Sequence, residues 1–266
     1  MILCVGLATV DLVYRVDRIP GADEKAQATS FEVAAGGPAA NAAVTAAALG
    51  APVTLVTAIG SHPLGALIRS DLEDHGVRVL DAAASSGAPP PVSSIVVAAD
   101  QRTIISRNAG EQQFAVPPEG LPDAAVTLVD GHHPVLAVAA ARAARRLVVD
   151  AGTWRPVFAD LLPHAEVVAC SAAFRPPTGV VEAPHVVVTH GPGPVTWTVA
   201  GVTRSIPVPP VEAVDTAGAG DAFHGALAHA LASGSTMEDA LTDAVRVAGV
   251  RVRHPGPRQW LRSLSP

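Results

Sequence analysis

The chain is nearly devoid of lysine: Lys25 stands alone against 17 arginines. A Walker A loop needs a lysine that follows a glycine-rich phosphate cradle, and no such cradle precedes Lys25. A Schiff-base lysine or the strand lysine of a protein kinase would also have to be Lys25, which lies in an acidic, turn-like segment. The sequence therefore excludes P-loop nucleotide hydrolases and disfavours the other two chemistries.

Basic runs, cysteines and long apolar runs are also scarce. The net charge is −6 and no basic run exceeds Arg145-Arg146, which argues against nucleic acid as a partner. The two cysteines, Cys4 and Cys170, lie in apolar, strand-like runs, as is typical of buried free thiols in a reducing compartment. No uncharged apolar stretch reaches the roughly 18 residues of a membrane span, so we expect no membrane contact and a cytoplasmic protein.

What the chain does contain is an alternation of short apolar runs with alanine-rich stretches. This pattern predicts an α/β fold, a mostly parallel sheet covered by helices, formed as one domain over residues 1–266. The predicted strands are 2–6, 52–59, 125–130, 146–150, 165–170 and 185–190. The predicted helices are 38–49, 63–75, 133–145, 219–232 and 236–252.

Two segments break this rhythm, at approximately 10–33 and 92–110. Polar and apolar residues alternate in them, as in Arg102-Thr103-Ile104-Ile105, and no helix is predicted to follow either segment. Two distant stretches that pair as a small separate sheet over the end of a parallel sheet would form a lid.

The segment Asp215-Thr216-Ala217-Gly218-Ala219-Gly220-Asp221 opens directly into a predicted helix. Small residues at 217–220 let backbone N–H groups gather at the helix N-terminus, where an anion such as a transferred phosphoryl group is favoured. Asp221 would then lie beside the anion, placed to accept a proton from an attacking hydroxyl. The alternative is an ordinary glycine-containing turn in which Asp221 only caps the helix.

A second loop, Gly36-Gly37-Pro38-Ala39-Ala40-Asn41, precedes another predicted helix. Its glycines allow the backbone to approach a ligand, and a proline suits the start of a helix. The Asn41 amide, both donor and acceptor, fits a polyol hydroxyl. An asparagine in a helix can equally face solvent or bond locally to the backbone.

The two motifs, in this order and separation, resemble the two signatures of the ribokinase (PfkB) family of carbohydrate kinases. The wording of the motifs is most similar to the ketohexokinase and sulfofructose-kinase branch. The resemblance implies a three-layer α/β/α domain with a small discontinuous β-sheet lid. It also implies ATP with Mg²⁺ as the phosphoryl donor and, by analogy only, a homodimer formed through the lid.

The resemblance implies roles for individual residues. Asp221 resembles the catalytic base, and the backbone of Gly218, Ala219 and Gly220 resembles the anion hole. The positions similar to those that hold sugar hydroxyls are Asp11, Gly36, Gly37 and Asn41. The positions similar to those that line the nucleotide are Thr189, Gly191, Asp215, Ala217, Gly218 and Gly220.

Three further residues are candidates for substrate contact, each with a plainer alternative. Lys25 falls in the first lid segment and would meet an anionic or polar substrate group, or else be a solvated charge. Arg107, at the end of a lid strand, would face an anionic group or solvent. Asp130 ends a strand where ligands bind in open α/β sheets, but could equally cap a helix. His132-His133 has no third ligand at zinc spacing, so we predict no metal site in the protein itself.

The chain departs from the family pattern in three places. No acidic residue follows Cys170, where family members usually have one tied to the metal and phosphates. Only 13 residues, 171–183, separate two predicted strands, and Pro176-Pro177 lies among them, so the usual crossover helix is expected to be shortened or absent. Ala217 replaces a common hydroxyl residue, and we expect no activation by a monovalent cation.

The sequence therefore predicts an ATP-dependent kinase that phosphorylates the primary hydroxyl of a sugar, with a ketose or sulfosugar-like substrate favoured. Two alternatives stay open. One is a nucleoside or sugar-phosphate kinase of the same family. The other, from the departures at 171–183, is a relative that binds sugar or nucleotide with weakened turnover.

Overall fold

Two sheets organise the computed structural model, which describes residues 1–98, 101–107 and 112–264. The strands in chain order are β1 Ile2–Val5, β2 Thr9–Arg15, β3 Ser30–Gly36, β4 Val53–Thr57, β5 Val77–Asp81, β6 Val92–Ala98, β7 Gln101–Arg107, β8 Val126–Val129, β9 Leu147–Ala151, β10 Val167–Ser171, β11 His185–His190, β12 Gly193–Val199 and β13 Val202–Ile206. The helices are α1 Pro38–Ala48, α2 Pro63–Asp74, α3 Pro134–Ala143, α4 Phe158–Leu161, α5 Ala219–Ala232 and α6 Met237–Val252. Short 3₁₀ turns occupy Leu162–His164 and Gln259–Leu264.

The central sheet has nine strands in the order β13-β12-β11-β10-β9-β8-β1-β4-β5. The strands from β11 to β5 in this order are parallel, and β12 and β13 extend the sheet as antiparallel strands. In a parallel sheet all strands end at the same edge, so the loops after β1, β4, β8, β9 and β10 gather there.

Helices cover both faces of this sheet, which confirms the predicted three-layer arrangement. Because successive strand residues point to opposite faces, Ile2 and Cys4 of β1 pack into one core and Leu3 and Val5 into another. The first core contains residues of α1, α2, α5 and α6, and the second contains residues of α3 and α4.

The lid is confirmed as a separate four-stranded sheet in the order β3-β2-β6-β7. Its central pair, β2 and β6, is parallel, and the outer pairs are antiparallel. The predicted lid segments thus contribute two strands each, although residues 99–100 and 108–110 of the second lie outside the described residues.

The sequence prediction missed four elements. Strand β5 has five residues and alternates buried with exposed positions at a sheet edge, and α4 has only four residues. The hairpin of β12 and β13 lies at the other edge, where its solvent-facing threonines hide the apolar pattern of a strand. All six predicted strands and five predicted helices are present, with ends shifted by up to two residues.

The predicted shortening of the crossover is also confirmed. Strand β10 ends at Ser171, β11 begins at His185, and the two pair in parallel. The 13 intervening residues, 172–184, form turns without a helix. The edge of the sheet beyond β10 therefore has no helix from this connection.

The two cysteines are buried and free, as predicted. Burial raises the pKa of both Cys4 and Cys170 to about 12, so neither is ionised at neutral pH. In the part of the chain that the structure describes, no helix combines the length and apolar character needed to cross a bilayer.

Helices α1 and α5 pack at unusually short range because small residues line their contact. A methyl group added at Gly225 of α5 would lie 2.3 Å from the carbonyl oxygen of Ala42 and 2.8 Å from Thr45 Cβ, both in α1. Ala42 is 1% exposed and Thr45 is fully buried. The separation of these two helices thus depends on the absence of a side chain at Gly225.

We expect Gly225→Ala to lower the free energy of unfolding by about 1–3 kcal/mol, because the methyl group overpacks this contact. Gly249→Ala is the matched control: Gly249 also lies inside a helix, but nothing lies within 4 Å of the added methyl group. There the better helix propensity of alanine should raise stability by up to about 1 kcal/mol. Urea unfolding of both variants measures the two changes in the free energy of unfolding. Equal changes would contradict the packing argument.

Candidate active site

Asp11 of β2 lies at the base of the lid and faces a cavity of about 660 Å³. Its Oδ1 accepts a hydrogen bond from Thr9 Oγ1 at 2.6 Å, and Ser93 of β6 also bonds to the carboxylate. Burial raises the pKa of Asp11, against the opposing effect of these two hydroxyl donors. The side chain is thus fixed in place as a hydrogen-bond acceptor directed at the cavity.

The Gly36-Gly37 loop allows three backbone segments to meet beside Asp11. A side chain at Gly36 would overlap the Asp11 carboxylate. Gly37 has a φ of 94°, and a methyl group there would lie 2.5 Å from the carbonyl oxygen of Leu7. Pro38 then begins α1, as predicted. Only glycine fits both positions, which accounts for the motif in structural terms.

Asn41 and Asp221 are joined although 180 positions separate them in sequence. Asn41 lies in the first turn of α1 and Asp221 in the first turn of α5. Asn41 Nδ2 donates to Asp221 Oδ2 at 2.8 Å. The close packing of α1 against α5 places the two side chains within this distance, so the two sequence motifs form one site.

The Asp221 carboxylate is poised to take up a proton near neutral pH. Part of the residue reaches solvent, but the carboxylate lies in desolvated surroundings. This desolvation, followed by the negative charge of Asp150, raises the pKa of Asp221 to about 6. The hydrogen bond from Asn41 and the proximity of His224 act in the opposite direction. A carboxylate with this pKa is a suitable general base.

The backbone ahead of Asp221 has the geometry that an anion site needs. Gly218 adopts the left-handed conformation, with φ 71°, and caps α5. The first turn of a helix leaves its N–H groups without intrahelical acceptors, and in α5 these belong to Ala219, Gly220 and Asp221. Ala219 N makes only a long 3.3 Å bond to the carbonyl oxygen of Thr216. These donors lie beside the base, where a transferred phosphoryl group would carry its charge.

Asp215 anchors this loop to the rest of the protein. Its Oδ1 accepts from Ala217 N at 3.0 Å, which shapes the turn. Its Oδ2 accepts from Arg251, at the end of α6, and from Arg15 of the lid strand β2, each at 3.3 Å. Gly256 N donates to the same oxygen at 3.2 Å. Asp215 therefore supports the anion loop and ties it to the lid, rather than pointing at a ligand with a free carboxylate.

The cavity combines these parts in one space. Its walls include Asp11, Asn41 and Gly218. Three arginines, Arg102, Arg251 and Arg258, and a second carboxylate, Asp215, also line it. Guanidinium groups in a concave site can bind the oxygens of an anionic ligand such as a polyphosphate.

Asp130 does not join this site. It is 3% exposed, and its carboxylate accepts from the backbone N–H groups of Leu7, Ala39 and His132 at 2.8, 3.2 and 2.9 Å. It therefore connects the turn after β1 with the start of α1. The structure gives Asp130 this supporting role in place of the predicted contact with substrate.

Arg107 is also separated from Asp11, by the lid itself. Register pairs Val10 with Val92 and Val92 with Arg107, whereas Asp11 pairs with Ser93. Neighbours along a strand point to opposite faces, so Arg107 and Asp11 lie on opposite faces of the lid. Arg107 accordingly lines a separate cavity of about 240 Å³, and its contact with an anionic substrate group stays a prediction.

The other predicted residues lie away from the large cavity. Lys25 is exposed in the connection between β2 and β3. Gly191 forms the turn between β11 and β12, with φ 60°, and the Thr189 hydroxyl donates to the carbonyl oxygen of Cys170 at 3.4 Å. None of the three is among the described residues that line the cavity, so their ligand contacts stay predictions.

Several residues near Asp221 were missed in the sequence. Arg251 and Arg258 occur in an arginine-rich C-terminal stretch without any motif. His224, one helical turn after Asp221, lies with Nδ1 3.2 Å from Asp150 Oδ2. A charged pair buried at 8% and 11% exposure is a functional signal, but only the structure brings its two members together.

Comparison with known proteins agrees with this geometry. Residues 1–263 match the family described as pfkB family carbohydrate kinase. The chain is 31% identical to the ribokinase of Bacillus subtilis (strain 168), over 94% of this chain and 92% of that protein. It is 30% identical to the ATP-dependent ribose-1-phosphate kinase of Halopiger xanaduensis, over 84% and 81%.

A solved structure extends the likeness to the whole fold. Arabidopsis thaliana ribokinase, complexed with ribose and ATP, superimposes with a TM-score of 0.78 at 21% identity. The match covers 100% of this chain and 98% of that one. The arrangement of central sheet, helices and lid is therefore shared.

If Asp221 accepts the proton of an attacking hydroxyl, its raised pKa sets the acid limit of activity. An aspartate with the ordinary pKa of 3.8 would stay ionised down to that pH, whereas Asp221 gains a proton as the pH falls through about 6. We therefore expect kcat/KM to fall about tenfold per pH unit below about 6. The measurement is a pH profile from 4.5 to 8.5, with circular dichroism to check folding. A kcat/KM that stays level from pH 6 down to pH 4.5 would contradict the assignment.

Proposed function

The chain belongs to the pfkB family of carbohydrate kinases, phosphotransferases that act on sugar hydroxyls, and we propose that it transfers the γ-phosphoryl group of ATP to the primary hydroxyl of a ribose-type sugar. The observation that carries the proposal is the placement of Asp221. The base lies at the N-terminus of α5, is oriented by Asn41, and adjoins the backbone donors of the anion site.

Each side chain has one part in this reaction. Asp11, at the base of the lid, accepts hydrogen bonds from sugar hydroxyls and fixes the ring. Asp221 takes the proton from the attacking hydroxyl as the oxygen approaches the phosphorus. The N–H groups at the start of α5 meet the charge that spreads over the phosphoryl oxygens. Closing the lid over the cavity excludes water, which would otherwise compete as acceptor.

The phosphoryl donor would bring its metal with it. ATP normally arrives as a Mg²⁺ complex, and Mg²⁺ usually keeps several waters and phosphate oxygens among its ligands. The described residues contain no group of three or more His, Cys, Asp and Glu side chains arranged to hold a metal. In this proposal the metal is held by the nucleotide phosphates and water. The metal would neutralise phosphate charge when bound.

The class of acceptor rests on the relatives. The names of two of them, ribokinase and ribose-1-phosphate kinase, favour ribose or a phosphorylated ribose. A ketose or sulfosugar has no support from these relatives, and a nucleoside fits the cavity chemistry equally well, because its ribose presents the same 5′-hydroxyl. We therefore place ribose first and a nucleoside second.

The first test is release of ADP from ATP and Mg²⁺ across a panel of acceptors. The panel contains ribose, deoxyribose, ribose 1-phosphate, adenosine, fructose and a sulfosugar. We expect the highest kcat/KM with a ribose-type acceptor. Asp221→Asn should lower kcat by about 10²- to 10⁴-fold, because the base is lost while binding contacts remain.

Three outcomes separate the candidates. Turnover confined to adenosine would make the protein a nucleoside kinase. Binding of ribose or ATP by calorimetry with no turnover of any acceptor would favour a binding protein. Near-full activity of Asp221→Asn would refute the general-base role even if ribose is phosphorylated.

We also propose that two copies of the chain pair through the outer face of the lid. Phe31, Val33 and Ile105 are 51%, 40% and 73% exposed. Strand register places Val33 beside Leu12, Leu12 beside Ser94, and Ser94 beside Ile105, so these residues share one face of the lid. Leu12 and Asp11 are neighbours along β2, so this face is turned away from Asp11. An apolar sheet face of this kind is unusual on a monomer.

Sedimentation equilibrium tests the pairing. We expect a dimer of the native chain, and a shift to monomer in Ile105→Asp, which places a charge in the proposed contact. Val202→Asp is the control, because Val202 is similarly exposed, at 59%, but lies on β13 of the central sheet. A monomeric native chain, or equal effects of the two substitutions, would refute pairing through the lid.

A further inference from the structure

An arginine makes a hydrogen bond to the Asn41 side chain of the pair formed by Asn41 and Asp221. Arg258 follows the last long helix and is 217 positions from Asn41 in sequence. One terminal nitrogen of its guanidinium donates to Asn41 Oδ1 at 3.1 Å. The amide of Asn41 is thus bonded at both ends, to an arginine through its oxygen and to Asp221 through its nitrogen.

The guanidinium is itself held rigidly. Its Nε donates to Asp71 Oδ1 at 3.0 Å, and the other terminal nitrogen donates to the carbonyl oxygen of Ala35. The second oxygen of Asp71 accepts from Ala35 N at 2.6 Å, which closes the arrangement. The side chains of Arg258 and Asp71 are 13% and 12% exposed. A planar guanidinium that is bonded to all of these partners has one available orientation.

The negative charge of Asp71 also helps to hold the guanidinium of Arg258 in one orientation. Burial alone would raise its pKa, but the hydrogen bond with His75 and the charge of Arg258 hold it at about 2. Asp71 is therefore anionic over the whole range in which the enzyme would work. The ion pair that anchors Arg258 does not dissociate when the pH changes between 4 and 9.

The direction of the Asn41 amide follows from these contacts. An asparagine amide can present either its oxygen or its NH₂ group to a neighbour. A guanidinium has donors only, so the Asn41 oxygen must face Arg258. The NH₂ group is then left facing the Asp221 carboxylate. The reversed amide would set NH₂ against the guanidinium and an oxygen against the carboxylate, two repulsive contacts.

We propose that Arg258 is a positioning residue for Asp221, which acts by holding the Asn41 amide in the one orientation that directs its NH₂ group at the base. This inference rests on the proposed function, because it assigns Asp221 as base. Arg258 does not bond to Asp221 itself; its effect passes through Asn41. Without it the amide is free to reverse, and the carboxylate loses its only side-chain donor among the described residues.

The other charged and titratable groups around Asp221 set the background of the test. They are Asp150 of β9 and Asp130 after β8, which raise its pKa, His224 of α5, which lowers it, and Arg251 of α6, whose own pKa is lowered by burial against the opposing charges of Asp215 and Asp221. All of them stay in place when only Arg258 is changed. Arg258→Met also removes a positive charge that acts on Arg251 and Asp11, so Arg258→Lys, which keeps the charge, is the variant that reports on the hydrogen bond from Asn41.

The experiment is a double-mutant cycle of Arg258→Met and Asn41→Ala, with kcat and KM measured for the best acceptor. We expect each single variant to lower kcat about tenfold, with a smaller change in the KM for ATP. The double variant should be no slower than Asn41→Ala alone, since Arg258 then has no amide to hold. Arg253→Met, an exposed arginine of the same segment, is the control and should leave kcat unchanged. Equal fold-losses from Arg258→Met in both backgrounds would overturn the proposal.

A titration that needs no turnover separates failure of this inference from failure of the proposed function. The side-chain carboxyl of Asp221 is assigned by the ¹³C resonance that disappears in Asp221→Asn, and its pKa is read from the chemical shift. We expect Arg258→Met to raise that pKa by about one unit and Arg253→Met to leave it unchanged. Should Arg258→Met unfold, Arg258→Lys keeps the charge without the planar fork and should raise the pKa as well. An unmoved pKa in a folded variant would overturn the proposal even if ribose is phosphorylated.

Discussion

The close packing of α1 against α5 is the constraint on which the site depends. Gly225 leaves no room for a methyl group against Ala42, so the two helices approach at backbone distance. In the first turns of the same two helices, this approach brings Asn41 to 2.8 Å from Asp221. A wider separation would break this hydrogen bond, because an asparagine side chain is short. The small residues of both helices thus serve the chemistry as well as the core.

Three carboxylates near the end of the parallel sheet show how surroundings divide their roles. Burial would raise the pKa of Asp130, but His132 and three backbone donors lower it strongly, so it stays ionised as a support. Asp150 pairs with His224. Asp221, with one side-chain donor and a neighbouring negative charge, has its pKa raised to about 6. Environments that push pKa values apart distinguish the base from its supports.

Because the chain has one lysine, arginine provides the positive charges around the cavity. Arg15 and Arg251 meet at Asp215 and link the lid, the anion loop and the end of α6. Arg258 links the C-terminal segment to Asp71 and Asn41. The planar guanidinium donates to several partners at fixed angles, which an ammonium group does not. The arginine bias of the sequence thus has a structural use around the cavity, whereas Lys25 lies exposed outside it.

The sequence by itself determined six of the nine central strands and five of the six helices in the described residues, the separate lid, the shortened crossover and the two glycine motifs with Asn41 and Asp221. These features are local: each depends on residue periodicity or on turn geometry within a few positions. Tertiary structure alone decided that Asp130 supports loops, that Arg107 faces away from Asp11, and that Arg258 reaches Asn41. Such contacts depend on strand register and on how segments up to 223 residues apart pack together, which no local pattern encodes.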